Sequence, residues 1–312
     1  MADDLRTLAE MVTLNDMNLV DAGCSDVFSD APVLARLHSV YASNGTNHKY
    51  LKETAAPVVG FRAINAGRDH SSSTDELVEI ALKLLDFTHK TDKALADAYT
   101  RGGAEAYLSR ETARHLRAAV KLFERCVFYG TGVDAGAFAG LIAATPIATL
   151  AGGMVINAAG ASVRSSVYMI RTTPDERGVC AIAGNNGQFT VGEAFTQLIS
   201  DDDGKQFPAY VVPSDGWLGV QVGSVKSIAR IANLSTASGK TLTDSMLSEC
   251  FELFPEEAPP NLIVMNARSR GQLQRSRTTY SPTGQEAPLP QEWNGIPIVT
   301  TSSISNAETA VA

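Results

Sequence analysis

The sequence predicts an α+β fold, in which helices and strands are mixed without a regular βαβ rhythm. Residues 104–129 repeat apolar positions every three or four residues, which is typical of one long amphipathic helix. Beyond this segment, short apolar strand candidates alternate with glycine-rich turns. The chain has 312 residues, of which 44% are hydrophobic and 19% are charged, so it can bury one substantial core or two modest ones.

The N-terminal segment is the most unevenly charged part of the chain. Residues 1–30 carry a net charge of −6, and the remaining 282 residues carry only −2 of the total −8. The charged residues of this segment are Asp3, Asp4, Arg6, Glu10, Asp16, Asp21, Asp26 and Asp30. Such an acidic arm repels nucleic acid and would seek a basic surface, or it is a solvated terminus. Composition alone leaves both interpretations open.

Composition also limits the cellular setting. No run of about 18 or more apolar residues is present, so we expect no membrane contact. The opening MADDLRTLAE lacks the basic flank and apolar stretch of a secretion signal, which predicts a protein that stays in the cytoplasm. The cysteines are too widely spaced for a zinc site or a disulfide framework, and we expect buried or inert thiols. They are Cys24, Cys126, Cys180 and Cys250.

The first predicted element is a short helix that begins near Ser29. Ser29 can cap this helix, and Pro32 is tolerated in its first turn. Its apolar face would consist of Val33, Leu34, Leu37 and Tyr41.

A hairpin is predicted next, over residues 43–89. Proline and glycine punctuate this stretch, its tip at residues 65–73 is polar, and both flanks are long enough for strands. The second flank fits two patterns. Strand alternation is seen at Val78, Ile80, Leu82 and Leu84, whereas Leu77, Ile80, Leu84 and Phe87 have helical spacing. These residues alone leave strand and helix open.

The long helix over residues 104–129 is the clearest element. Its apolar stripe consists of Leu108, Thr112, Leu116, Ala119, Phe123 and Val127. Gly130 and Gly132 follow and end it. At 1.5 Å per residue, the helix would be roughly 35–40 Å long.

A basic stripe follows the opposite side of this helix. It consists of Arg110, Arg114, Arg117, Lys121 and Arg125, at steps of four, three, four and four. Such a stripe is a solvated face, a contact for DNA phosphates, or a docking surface for an acidic partner. Because the net charge of −8 weakens phosphate affinity, we favour pairing with the acidic residues 1–30.

The later elements are short. Strands are predicted for SVYMIR, VCAIAG, PAYVVP, NLIVMN and IPIVTT, and helices for residues 243–254 and 269–276.

The sequence offers little support for catalysis. YGTGVDAGAFAG has the spacing G-x-G-x-x-x-G and follows a helix, so it does not fit a dinucleotide site. The run at residues 201–204 lacks the glycine and glutamate of a calcium loop and is read as a surface turn. The five histidines have no metal-ligand spacing and are expected at the surface or at interfaces. They are His38, His48, His70, His89 and His115. We therefore predict no catalytic residue, no cofactor and no metal.

Five segments of the chain, taken in order, carry a family resemblance. They are NGTNHKYLKETAAPVVGFRAINAG, GWLGVQVGSVKSIARI, LTDSMLSECFELFP, NLIVMNARSRGQLQRSR and WNGIPIVTTSSIS. Together with the long helix, this series resembles the major capsid proteins of tailed bacteriophages, whose shell fold is of the Hong Kong 97 type. The resemblance spans residues 29–306, and its most specific parts are the first and fourth segments.

The resemblance implies an architecture. Residues 1–45 would form an N-arm, residues 46–90 an extended loop called the E-loop, and residues 104–129 a spine helix. Residues 91–312, which include the spine helix, would form peripheral and axial domains. The resemblance also makes residues 76–88 a strand of the E-loop. A two-stranded extension of this length is not stable alone in water, so it must lie on another subunit. Candidate contact residues at its tip are Phe61, Arg62, Arg68 and Asp69.

The function implied by the resemblance is structural. Copies of the chain would assemble as pentamers and hexamers into an icosahedral shell that encloses double-stranded DNA without sequence specificity. A separate scaffolding protein and a portal protein are further expected partners, with assembly in the host cytoplasm. An encapsulin-like cellular compartment is the alternative within this fold, and an enzyme with an unrecognised site is the alternative outside it.

Overall fold

The computed structural model describes residues 8, 12–14, 17–18, 24–55, 57–69, 71–175, 177–279 and 285–312. Its strands are β1 Thr13–Leu14, β2 Met17–Asn18, β3 Ser39–Tyr41, β4 Asn47–Ala55, β5 Thr74–Ala81, β6 Lys83–Asp86, β7 His89–Asp92, β8 Val155–Asn157, β9 Ser165–Ile170, β10 Val179–Ala183, β11 Gln188–Val191, β12 Phe195–Ser200, β13 Gln206–Val212, β14 Ser214–Val222, β15 Ile228–Leu234, β16 Leu262–Met265, β17 Glu292–Trp293 and β18 Ile296–Thr300. Its α-helices are α1 Lys93–Asp97, α2 Gly103–Tyr129, α3 Thr145–Ala148, α4 Asp244–Phe251 and α5 Ala267–Thr279. None of these helices is long and apolar enough to cross a membrane.

The mixture of helices and sheets is the predicted α+β fold. The first sheet has the order β2-β1-β11-β14-β10-β3, and a seventh strand, β6, also pairs with β14. A second sheet has the order β17-β18-β16-β9-β15-β8, and a smaller one has the order β12-β13-β7. Strands β9, β10, β15 and β16 are buried along their whole length, because both of their faces are covered.

The predicted helix near Ser29 is wrong. The chain forms a 3-10 segment at Cys24–Asp30, then turns, and then strand β3, which pairs in parallel with β10. The reason is tertiary, because the backbone N–H groups of Val33 and Leu34 donate to the carboxylate of Glu124 on α2. The apolar residues of the predicted face, Val33, Leu34 and Leu37, are nevertheless completely buried.

Strands β4 and β5, for which we keep the name E-loop, form an antiparallel pair whose register joins Leu51 to Leu77 and Asn47 to Ala81. The second flank of the predicted hairpin is therefore a strand, and the helical alternative is wrong. Its continuation, β6, leaves the hairpin to pair with β14. With about 3.3 Å per residue, the nine residues of β4 make a strand roughly 30 Å long, whose first residues lie against the body of the protein.

Helix α2 has the predicted position and extends over 27 residues, about 40 Å. Its buried residues include Leu108, Leu116, Phe123 and Val127 of the predicted stripe. Gly130 ends it with a φ of 50°, and a Cβ atom there would lie 2.2 Å from the backbone nitrogen of Gly140. A side chain at Gly140 would in turn meet the backbone of Gly130 at 2.4 Å. The glycine-rich motif thus brings two backbones together, which explains it without a nucleotide.

The shorter predicted elements are present with shifted ends. Helix α4 begins after Thr243, whose hydroxyl accepts the N–H of Met246, and it ends before Pro255. Helix α5 is longer than predicted at both ends. The predicted strands correspond to β9, β10, β13, β16 and β18. One contiguous hydrophobic core joins α2 to the two larger sheets.

Candidate assembly surfaces

Among the described residues, the hydrogen bonds between the E-loop and the body lie at the base of the E-loop. His48 Nε2 lies 3.0 Å from Gln221 Oε1, and the Tyr50 hydroxyl donates to the carbonyl oxygen of Val222 at 3.2 Å. Farther out, the opposed side chains of Leu51 and Leu77 are 53% and 61% exposed. Two neighbouring leucines in water on a two-stranded extension indicate a surface that another molecule covers.

The E-loop tip, defined as residues 57–69 and 71–73, has the largest apolar exposure. Phe61 is fully exposed and Ile64 is 93% exposed. The contact candidates predicted from the sequence omitted three further exposed apolar residues of this tip. They are Val58, Val59 and Ile64, which could have been found as the apolar residues of PVVGFRAI.

The tip is held closed by its own arginines. Arg68 donates to the carbonyl oxygens of Gly60, at 3.2 Å, and of Val58. Arg62 donates to the carbonyl oxygen of Ala66 at 3.3 Å, and Asp69 is exposed. The four residues predicted from sequence thus lie in one tip, where the arginines shape the loop and Phe61 faces water.

The basic stripe on α2 has two unequal halves. The Arg110 guanidinium lies 5.2 Å from the Tyr99 ring centre and 5.6 Å from that of Tyr107. Glu111 accepts a hydrogen bond from Arg114 at 2.7 Å and lies 3.7 Å from Arg110. This carboxylate neutralises part of the N-terminal half.

The C-terminal half of the stripe contains Arg117, Lys121 and Arg125. Arg117 is half-buried, whereas Lys121 and Arg125 are exposed and form no salt bridge with another described residue. Of the acidic residues 1–30 proposed to pair with the stripe, those from Asp3 to Asp21 lie outside the described residues, and Asp30 is exposed and forms no salt bridge with another described residue. Within the described part of the chain, the charges of the stripe without a salt-bridge partner are therefore those of Lys121 and Arg125, toward the C-terminal end of α2.

A cavity of about 250 Å³ opens between strand β6, the end of α2 and the glycine-rich turn. Its apolar wall includes Leu84, Leu85, Leu122, Phe123, Ala137 and Phe138. Two carboxylates, Asp86 and Asp134, and the ammonium group of Lys83 also line it. Hydrogen bonds from Thr88 lower the pKa of Asp86, so its carboxylate is ionised. The cavity thus combines an apolar interior with a net negative lining.

A buried carboxylate joins three distant segments. Glu124 on α2 is completely shielded from solvent. Its Oε2 atom accepts from the Val33 N–H at 2.9 Å and from the Leu34 N–H at 3.4 Å, while Oε1 accepts from the Thr301 hydroxyl. Burial raises the pKa of Glu124, and the hydrogen bonds oppose this effect.

The C-terminal residues are fixed by a buried ion pair. Arg230 Nη2 lies 2.9 Å from Glu308 Oε2, and both side chains are about 5% exposed or less. Glu308 also accepts a hydrogen bond from the Tyr129 hydroxyl at the end of α2. Asn233 accepts from the Val311 N–H and donates to its carbonyl oxygen. The last residues are therefore part of the folded body.

No group of three or more histidine, cysteine, aspartate or glutamate side chains in the described parts of the chain could hold a metal ion. The expectation that every histidine lies at a surface or interface is wrong for His89, which is buried against the His115 ring at 5.0 Å. Burial lowers the pKa of His89, and burial raises the pKa of Cys180 and Cys250 to about 12.

The Asp201 segment is the predicted surface turn. The Asp201 carboxylate accepts the N–H groups of Asp203, at 3.0 Å, and of Lys205, at 2.7 Å. These hydrogen bonds close a turn between β12 and β13 and use the side chain locally.

A family model described as Major capsid protein GP7 matches residues 27–312. No curated protein matches the chain. The structure of bacteriophage Epsilon15 contains a similar chain, with a TM-score of 0.66, 20% identity, and coverage of 88% of this chain and 87% of that one. The capsid of bacteriophage JBD30 gives a TM-score of 0.53 and 11% identity, with coverage of 85% and 88%. At these identities, the two structures show a shared fold.

An encapsulin is a more distant structural neighbour. The SrpI encapsulin of Synechococcus elongatus gives a TM-score of 0.43 and 9% identity, with coverage of 64% of this chain and 86% of that one. This similarity is too low to support an argument about function.

Proposed function

The chain belongs to the family of GP7 major capsid proteins, and we propose that its copies join as pentamers and hexamers into an icosahedral shell around double-stranded DNA. As a phage capsid protein, it is a structural component of the virion and assembles with copies of itself. We further propose that the shell contains both pentamers and hexamers, that it encloses the phage genome, and that it assembles in the host cytoplasm. A separate scaffolding protein and a portal protein are proposed partners.

The observation that carries the proposal is the exposed E-loop. Its tip and its outer strands hold Leu51, Phe61, Ile64 and Leu77 in water, although apolar burial is the main stabilising term in folding and association. A neighbouring subunit would cover these side chains and add favourable contacts at every copy of the interface.

We also propose that the protein has no catalytic role, because the glycine-rich motif and the Asp201 turn both have local structural explanations. We favour a phage shell over an encapsulin-like compartment, because the family that matches the chain is one of major capsid proteins.

Assembly is tested by producing the protein alone and together with the proposed scaffolding protein. We expect closed particles in sedimentation and electron microscopy under at least one of these conditions. Leu51→Asp combined with Leu77→Asp should abolish particles and leave a folded subunit by circular dichroism. A monodisperse monomer under all conditions, at high concentration and with crowding agents, would contradict the proposal.

A further inference from the structure

The E-loop tip and the cavity beside β6 are complementary in chemistry. The tip presents Phe61 with its whole side chain in water, between the exposed residues Val59 and Ile64. The cavity has an apolar wall and an opening beside Leu84, which is itself 48% exposed. The E-loop tip therefore exposes an aromatic ring to solvent, and no described residue fills the apolar cavity.

The cavity is large enough for this ring. Its volume is about 250 Å³, whereas a cavity of roughly 150 Å³ lined by similar side chains accepts benzene. Phe123 and Phe138 in the wall already meet edge to face, with ring centres 5.7 Å apart. A third ring could continue this arrangement, because aromatic pairs favour such offset contacts.

The tip and the cavity of one chain cannot meet. The cavity lies at β6, where the E-loop joins the body, while the tip lies beyond the opposite end of β5. The eight residues of β5, at about 3.3 Å each, place the two roughly 25 Å or more apart. The occupant must therefore come from a second copy of the chain.

Charge supports the same pairing. Asp86 and Asp134 line the cavity against Lys83, which leaves one negative charge in excess. The tip carries Arg62 beside Phe61, and Arg68 with Asp69, which leaves one positive charge in excess. The attraction is modest, because exposed pairs are weak individually, but its sign favours the contact.

We propose that Phe61 of each subunit inserts into the cavity between β6 and the end of α2 of a neighbouring subunit, with Arg62 beside its acidic rim. This inference rests on the proposed function, because it assigns the docking site of an E-loop that already lies on a neighbour. It assigns the cavity the role of a receptor for one aromatic side chain of the same protein.

A thiol cross-link tests the contact directly, because Cys126 lines the cavity. Particles assembled from Phe61→Cys would be treated with a short bifunctional thiol reagent, separated under denaturing conditions and mapped by mass spectrometry. We expect chains joined in series through links between the thiol introduced at position 61 and Cys126 of the next chain. Three controls should lack this link: the native chain, Phe61→Cys with Cys126→Ser, and Ser72→Cys on the other limb of the tip.

A second variant covers the case in which Phe61→Cys assembles poorly. Ala137→Phe fills the cavity from within, and we expect it to slow assembly by roughly tenfold or more without lowering the melting temperature of the subunit. Particles that form normally from Ala137→Phe would overturn the proposal. So would Phe61→Cys particles that cross-link no better than Ser72→Cys. In both cases the particles themselves show that shell assembly holds, so the proposed function survives.

Discussion

Glu124 is a single buried residue that joins distant segments of the subunit and affects how its stability depends on pH. Its carboxylate receives hydrogen bonds from Val33 and Leu34 before β3 and from Thr301 after β18, so α2 holds both ends of the described fold. Burial raises its pKa above that of an exposed glutamate, and this effect exceeds that of the hydrogen bonds. The folded state therefore binds the Glu124 proton more tightly than the unfolded state does. The resulting stabilisation is present below the unfolded pKa and is lost as pH rises through the folded pKa.

Replacing this carboxyl group by an amide removes the titration and nearly preserves the shape. We expect the free energy of unfolding of the native subunit, relative to Glu124→Gln, to fall as pH rises from about 4 to about 8. Denaturant unfolding of dispersed subunits at a series of pH values measures this difference. Glu249→Gln, at an exposed carboxylate on α4, is the matched control. A difference that grows in favour of the native chain with rising pH would contradict the burial effect.

At the scale of helices and strands, the sequence predictions were accurate where residues close in sequence determine the structure. They were wrong where contacts with distant residues determine it. Helix α2 was predicted to within one residue, because its apolar stripe extends from Leu108 to Val127, about five turns, and Gly130 ends it. The segment after Ser29 has the same apolar period over a short distance. However, its N–H groups at Val33 and Leu34 donate to the Glu124 carboxylate, and no α-helix forms. The burial of His89 depends on α2 and β13 packing around β7, which no local pattern records.

The candidate assembly residues were predictable to a similar degree. Phe61, Arg62, Arg68 and Asp69 could be placed in one tip, because turn residues separate two strand-like flanks. The roles of the arginines could not be predicted, because the hydrogen bonds of Arg68 to Val58 and Gly60 depend on how the loop closes. The cavity beside β6 could not be predicted either, since it is formed by segments far apart in sequence.

The E-loop tip allows a test at one position. Arg62 donates one hydrogen bond within the exposed tip, so Arg62→Ala should leave the melting temperature of the subunit unchanged. We expect a reduced yield of particles, because the guanidinium group would be lost from the intersubunit contact. Arg101→Ala, at an exposed arginine before α2, should assemble normally. A normal particle yield from Arg62→Ala would make the Arg62 side chain a solvated part of the turn.

The basic stripe on α2 allows a charge-reversal test. We propose that its exposed C-terminal half pairs with the acidic residues 1–30 of the same or a neighbouring chain. Lys121→Glu with Arg125→Glu should weaken assembly, most strongly at low salt, where like charges are screened least. Adding Asp16→Lys and Asp21→Lys should partly restore particle yield. Failure of this rescue, with only DNA packaging impaired, would assign the stripe to the genome.

At the scale of the whole molecule, the subunit divides into a fixed body and a projecting E-loop. The body has one contiguous core, and buried hydrogen bonds accepted by Glu124 and Glu308 hold its terminal segments. The E-loop has a separate two-stranded sheet whose outer residues are exposed on both faces. Such a division fits a building block, because the body has a core of its own and the extension would gain its cover from another copy.

The central claim is that the E-loop completes its burial on another subunit, and a cryo-electron microscopy map of assembled particles tests it most directly. The map would be traced from β4 through the tip to β5 in each copy. We predict that residues 57–73 lie on the body of a neighbouring subunit and that Leu51, Phe61 and Leu77 are buried there. An E-loop folded onto its own body, or projecting into solvent in closed particles, would contradict the account.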